Sequence, residues 1–311
     1  MPTTIATQLG DRAKLIAEPW GVVAGSYAVG KFPAPWAEWN DKFRDTIRSD
    51  QDQAGTVAIT PGALAERIGG SQGTYGSRTP QAGVSYLVSH DGFTLRDLYG
   101  CNSSNNTQAW PYGPSDGGST DNKSWDHGGD AALRHQAQRT GLALMMLSAG
   151  VPMITGGDEA GRGTHCNNNP YNLDSTGSWL DWANRDTTLV TFAQRLFAFR
   201  AAHPALRPTD WSEKPTWLDG YGNAATSAYL GDATKSVLAW RTGELYVAYN
   251  RGAAQVTLTL PAAPAGTAWY RAADTSAALE PTNFAVPGSE YRMMGSSYGL
   301  SARSLAIFIA Q

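Results

Sequence analysis

The sequence predicts an α/β unit built on parallel strands over residues 1–207 and an antiparallel β-sandwich over residues 208–311. Three observations carry this. A β-prone run ending in a carboxylate, followed by loop and helix signals, recurs at Glu18, Asp91 and Asp158. In α/β sheets and barrels the carboxyl ends of parallel strands face the crevice where ligands bind. A long helical pattern at 131–149 sits between two of these runs, as a crossover between parallel strands requires. Beyond Pro208 the pattern changes to short β-prone runs at 236–241, 245–250, 256–260, 269–273 and 304–310, separated by Gly, Pro and Asp, which is the spacing of a sandwich.

The first strand is the burst Lys14–Ala17, closed by Glu18, Pro19 and Trp20. Pro19 stops regular pairing, and Trp20 offers an apolar wall of the kind that raises a carboxyl pKa for general-acid work. The plainer reading of Glu18 is a strand-end salt bridge. Residues 25–39, rich in aromatics, Gly and Pro, read as a long loop whose rings can stack on sugar faces or simply pack the loop down. Asn40 caps a helix through Ile47, residues 64–68 form a short helix, and the Gly/Ser-rich 69–83 stretch reads as a flexible surface loop.

Val84–Val88 is the second strand, buried on both faces, with His90 and Asp91 where the apolar run stops. Gly92 turns the chain and Thr94 caps the next helix. Asp91 as a simple turn cap and His90 as a structural histidine remain the alternative. The 101–122 loop combines Asn102, Asn105 and Asn106 with Trp110 and Tyr112, a mixture suited to carbohydrate. The helix at 131–149 ends at Gly150 and Pro152, a third strand spans 151–155, and Asp186 caps a helix through Ala202.

The formal net charge is -3, without any Lys/Arg cluster, which argues against a nucleic-acid partner. The longest apolar run, 142–154, is interrupted and too short to cross a bilayer. Charged residues make up 16% of the chain, while Gly reaches 34 and Trp 11. Such a surface takes its polarity from amides and hydroxyls and suits neutral polar ligands. The N-terminus lacks the basic-then-apolar order of a signal peptide. The two cysteines lack paired metal-ligand spacing, so no metal site is expected. The Asn-rich loop at 166–173 mirrors the one after Cys101, so a Cys101–Cys166 bridge tying the two loops stands beside a pair of free thiols as the reading of these cysteines.

The segments AEPWG, VSHDGFTLRDLYGCN, NNTQAWPYGPSDGG, LSAGVPMITGGDE and CNNNPYNLD together resemble the second half of the bacterial isoamylases, the glycogen and starch debranching enzymes of the α-amylase superfamily. The likeness is strongest from Val84 to Trp182 and weaker in the sandwich. The resemblance implies a partial (β/α)8 barrel, equivalent to strands five to eight, and hydrolysis of α-1,6 branch linkages of glycogen or amylopectin with retention. Glu18 then matches the general acid/base and Asp91 the carboxylate that holds substrate hydroxyls more strongly in the transition state. His90 matches the sugar-binding histidine, and Trp20, Tyr27, Trp110, Tyr112 and Asn168 line subsites. No cofactor is implied for these residues, because a family calcium site belongs to the N-terminal part. A secreted or periplasmic location follows from the same likeness.

The sequence departs from the family in one respect that bears on activity. The nucleophilic aspartate lies in a segment reading approximately GFRFD, and no counterpart occurs in this chain. The expectation is therefore a chain without strands one to four, with unpaired sheet edges, inactive alone unless a second chain completes the barrel. A non-catalytic glucan-binding remnant and a partial gene product with a damaged barrel are the competing readings. Pullulan or α-1,4 cleavage is the neighbouring specificity.

Overall fold

The computed structural model describes residues 2–9, 12–52 and 58–311. Helix α1 (Pro2–Leu9) buries nothing and precedes strand β1 (Ile16–Ala17), which pairs in parallel with β2 (Ala37–Trp39). Helices α2 (Asp41–Gln51), α3 (Pro61–Ile68) and α4 (Gln72–Tyr75) lead to β3 (Gly83–Ser85), parallel to β2. Helices α5 (Leu95–Leu98) and α6 (Ala131–Leu147) then lead to β4 (Val151–Pro152), parallel to β3, and α7 (Thr187–Ala202) follows. The four strands lie in chain order, β1-β2-β3-β4. Their edges leave Ile16 and Val151 exposed at 51% and 38%.

Two expectations need correction here. The stretch 25–39, read as a loop, contains β2, whose Glu38 is fully buried. It accepts hydrogen bonds from the Gly30 amide (2.6 Å) and the Phe32 amide (3.3 Å), and it pairs with Arg78. A three-residue strand among Pro, Trp and Gly shows no period of two, and the cation that neutralises its carboxylate lies far along the chain. The stretch 69–83 is not a flexible loop either. It contains α4, and Tyr75 and Ser71 are buried, with Ser71 Oγ accepting from Asn40 Nδ2 at 3.0 Å.

Helix starts follow their caps. Asn40 Oδ1 accepts from the Phe43 amide, Thr94 Oγ1 from the Asp97 amide, and Asp186 from the Thr188 and Leu189 amides. From Gln136 to Leu147, α6 is buried all round, because it packs on α7, α3 and the C-terminal sheet.

That sheet comprises β5 (Thr216–Leu218), β6 (Val237–Thr242), β7 (Leu245–Asn250), β9 (Trp269–Asp274), β10 (Tyr291–Arg292) and β12 (Ser304–Ala310), in the order β10-β9-β12-β7-β6-β5. A short helix, α8 (Ser227–Gly231), lies between β5 and β6. The remaining strands, β8 (Val256–Thr259) and β11 (Ser297–Leu300), pair as a second layer. Alternation sorts the six-stranded sheet. Leu238, Trp240, Val247, Leu305 and Ile307 join the helical core, while Ala239, Tyr246, Ala248, Ala306 and Phe308 pack with Leu258 and Leu300 of the second layer. The first set makes one apolar core continuous with Phe43, Leu64, Leu142 and Leu196.

A buried polar tie reinforces this junction. Asp50 of α2 accepts from Tyr249 Oη at 2.8 Å and from Arg251 Nε at 2.6 Å. Asp50→Ala is expected to destabilise the chain by about 3–5 kcal/mol, because it strands a largely buried guanidinium. The readout is the urea midpoint, and a change below about 1 kcal/mol, the range of exposed pairs, would contradict the assignment.

Candidate active site

The carboxyl ends of β1, β2 and β3 meet in an aromatic cluster centred on Trp39. Its ring lies 6.4 Å from Trp20 in an edge arrangement, 5.4 Å from Tyr86 and 5.8 Å from His90. These contacts gather the Glu18–Pro19–Trp20 turn and the His90–Asp91 turn at one end of the parallel sheet. Trp39 itself escaped the sequence reading. The signal was present, since it directly precedes the helix cap Asn40, where a strand must end.

Glu18, His90 and Asp91 are all exposed. Trp20 turns its ring to Trp39 and leaves Glu18 in solvent, so it does not form the burying wall expected of it. Among the described residues Glu18 makes no hydrogen bond or ion pair, whereas Asp91 Oδ1 accepts from Ser89 Oγ at 2.7 Å. Tyr27 lies half-exposed and donates through its hydroxyl to Asp41 Oδ1 at 3.0 Å. Burial and then the Asp41 charge push its pKa up to about 12. Trp110 is 65% exposed, and Tyr112 stacks on His165 with ring centroids 3.8 Å apart.

Asn168, expected to bind substrate, is instead fully buried. Its Nδ2 donates to Ser119 O (2.7 Å) and Asn122 Oδ1 (2.8 Å), and its Oδ1 accepts from Asn106 Nδ2 (2.9 Å). Its amide donates back to Asn106 Oδ1 (3.0 Å), and its carbonyl accepts from the Gly92 amide (3.0 Å). Every polar group of the residue is satisfied within the protein, so none is left for a sugar hydroxyl. The role of Asn168 is to fix the 101–122 loop and the turn after Asp91 to each other. At Gly118, which has φ +86°, an added Cβ would collide with Asn168 Oδ1, so this contact requires glycine.

The same two loops are joined covalently by a Cys101–Cys166 disulfide, with Cα atoms 5.8 Å apart. Asp97 adds a third tie: its Oδ2 accepts from Thr94 Oγ1 (3.0 Å), the Thr164 amide (2.5 Å) and Thr164 Oγ1 (2.8 Å). The acid after β4, Asp158, is likewise an internal strut and not a crevice group. It is buried and accepts from the Leu95 amide at 3.0 Å. Burial pushes its pKa up to about 7 against the opposing pull of that hydrogen bond and of Arg162.

The residues from β5 through most of β12 match the family model for the C-terminal domain of isoamylase, at residues 214–309. An isoamylase of Flavobacterium sp is 47% identical, aligned over 97% of this chain and 42% of its own length. An isoamylase of Pseudomonas amyloderamosa is 43% identical over the same shares. The chain is homologous to the C-terminal part of the isoamylases. It spans less than half the length of these curated relatives. A glycogen debranching enzyme of Dickeya chrysanthemi is 39% identical over 68% of the chain and 34% of its own length. Among solved structures, the pullulanase of Bacillus acidopullulyticus superposes with a TM-score of 0.72 at 21% identity, covering 100% of this chain and 36% of that one. The pullulanase of Anoxybacillus sp. LM18-11, complexed with maltotetraose, gives 0.66 at 16% identity, covering 99% and 41%. At these identities the structural likeness concerns the fold.

Two outcomes follow from the ties. Cys101→Ser/Cys166→Ser opens a loop spanning 65 residues of sequence, and chain entropy alone sets the loss of stability at about 4 kcal/mol. Hydrogen exchange should rise across 101–122 and 164–169, and unchanged exchange there would count against the bridge as the loop anchor. For Asp158 the folded pKa lies above the unfolded value, so the native state holds the proton that the unfolded state releases. Its contribution is full below about pH 4 and is lost as pH rises to about 7. Asp158→Asn should flatten that part of the stability–pH curve, and an unaltered curve would refute the burial argument.

Proposed function

We propose that the chain forms strands five to eight of a (β/α)8 barrel together with the C-terminal sandwich of an α-1,6-glucan debranching hydrolase. The carrying observation is the Trp39 cluster, which brings the Glu18 turn and the His90–Asp91 turn to the same end of one parallel sheet. Four parallel strands in unbroken chain order support the barrel reading, since doubly wound sheets reverse their strand order at a switch point. The exposed Ile16 and Val151 at the two edges support it too, as residues that further strands would cover.

In this reading Glu18 is the general acid/base. It protonates the glycosidic oxygen as the branch leaves, then takes a proton from the water that releases the sugar. Asp91, aligned by Ser89, holds hydroxyls of the sugar at the cleavage point, and His90 beside it donates to another. Trp20, Tyr27, Trp110 and Tyr112 offer ring faces to glucan units, and the maltotetraose bound by the Anoxybacillus pullulanase is a ligand of that chemistry. A retaining reaction also needs a nucleophilic carboxylate roughly 5–5.5 Å from the acid. We assign that group to a segment outside these 311 residues, on the same polypeptide or on a second chain. The disulfide supports an oxidising compartment outside the cytosol.

Release of reducing ends from glycogen tests the reading. The chain alone should be silent, and mixing with the N-terminal half of an isoamylase should produce activity that Glu18→Gln lowers about 10²–10⁴-fold. Activity of the lone chain would disprove the missing-nucleophile assignment. Glycogen binding without hydrolysis in every mixture would favour a non-catalytic glucan-binding role.

A further inference from the structure

A pocket of about 290 Å³ opens behind the disulfide, between α5, α6 and the 163–166 turn. It shares no residue with the Glu18, His90 and Asp91 turns. Arg96, Arg134, His135, Gln138 and His165 bring donor-bearing side chains to its wall. Asp97 is the carboxylate among the lining residues, and its Oδ2 already accepts three hydrogen bonds from Thr94 and Thr164. On the wall two guanidiniums face this one occupied carboxylate, while His135 lies within 4 Å of Asp186 and Glu280, which stand outside the lining.

One of these side chains has no hydrogen-bond partner among the described residues. Gln138 is only 3% exposed, and its side-chain amide makes no hydrogen bond among the described residues. Arg134, also on the wall, donates from Nη2 to the Gly129 carbonyl at 3.1 Å. The Gln138 amide opens onto the pocket and takes its hydrogen-bond partners from whatever occupies it. Its N–H groups require an acceptor, and the guanidiniums of Arg96 and Arg134 on the same wall favour an anionic one. A fork of guanidinium N–H groups with an adjacent amide N–H matches a tetrahedral oxyanion.

We propose that this pocket binds a small oxyanion, either phosphate or a phosphate ester. Its walls include both cysteines of the bridge and the Asp97 that holds Thr164. A bound anion therefore joins α5, α6 and the 164–166 turn, and it stiffens the attachment of the loop carrying Trp110 and Tyr112. The inference stands independently of the glucan reading.

Isothermal titration and thermal unfolding of the full chain with sodium phosphate test it, with sodium chloride at matched ionic strength as the control and glucose 6-phosphate as a second arm. Saturable one-site binding is expected, together with a rise in the thermal midpoint that chloride does not produce. Arg134→Gln and Gln138→Leu should each weaken binding about tenfold or more, the usual consequence of losing a hydrogen bond to a charged group. Gln138→Leu removes the unpaired amide, so its midpoint without phosphate should hold or rise while the phosphate-induced shift disappears. Gln138→Glu, similar in shape and opposite in charge to an anion's needs, should abolish binding if the leucine variant fails to fold. Binding of glucose 6-phosphate with the same losses would identify an ester site, and binding of inorganic phosphate alone would identify a free-phosphate site. Absence of saturable binding in both arms, or equal binding by the variants, would overturn the proposal.

Discussion

Asn168 has no surface in contact with solvent, yet five hydrogen bonds meet on its side chain and backbone. Two long segments with little regular structure, 101–122 and 166–173, depend on it. Loops of this length carry many amides that water would otherwise satisfy, and they hold one shape only if a few interior groups take over that role. Asn168 does so for Asn106, Ser119 and Asn122, and its carbonyl extends the same network to Gly92, directly after Asp91. The disulfide two residues earlier holds the same junction by a covalent route. The order of the His90–Asp91 turn is thus inherited from a buried amide about eighty positions away.

The parallel sheet is a weak element by itself, with strands of two or three residues. What holds it is the packing on either side. Helix α6 is enclosed by α7, α3 and β12, and polar pairs cross the same boundary. Thr140 and Thr275 hydroxyls lie 2.7 Å apart, and Arg139 Nη1 donates to Glu280 Oε2 at 3.0 Å. The six-stranded antiparallel sheet, apolar on both faces, serves as the platform against which the helices fix the short strands. Glu38 and Arg78 act within the sheet itself, where the buried ion pair locks the return of the 25–39 stretch.

The legible parts of this architecture were those written in local chemistry. Asn40, Thr94 and Asp186 announce helix starts because a cap needs only its own next three residues. The runs at 237–242, 245–250 and 304–310 announce strands because both faces are buried and β-prone residues are required there. The illegible parts depend on distant partners. Strand β2 is defined by its neighbours and by Arg78, and α4 by contacts to Asn40 and Glu66. Strands β5, β10 and β11 are short and partly exposed, with no period to read. Asn168 illustrates the limit most clearly: an amide in an Asn-rich loop reads as a sugar ligand until its burial is known. The acid after β4 misleads in the same way, since a strand-end carboxylate is only a crevice group if it faces solvent.

The resulting picture is a set of exposed groups, Glu18, His90 and Asp91, at one end of a parallel sheet, where the rings of Trp20, Tyr86 and His90 gather on Trp39. Its central claim is that this end of the sheet, and not the C-terminal sandwich, is where glucan meets the chain. Hydrogen–deuterium exchange of the full chain with and without saturating maltotetraose addresses it most directly. The account predicts slowed exchange at 18–20, 39–40 and 86–92, with a smaller effect at 108–113. Protection confined to residues 214–309 would contradict it.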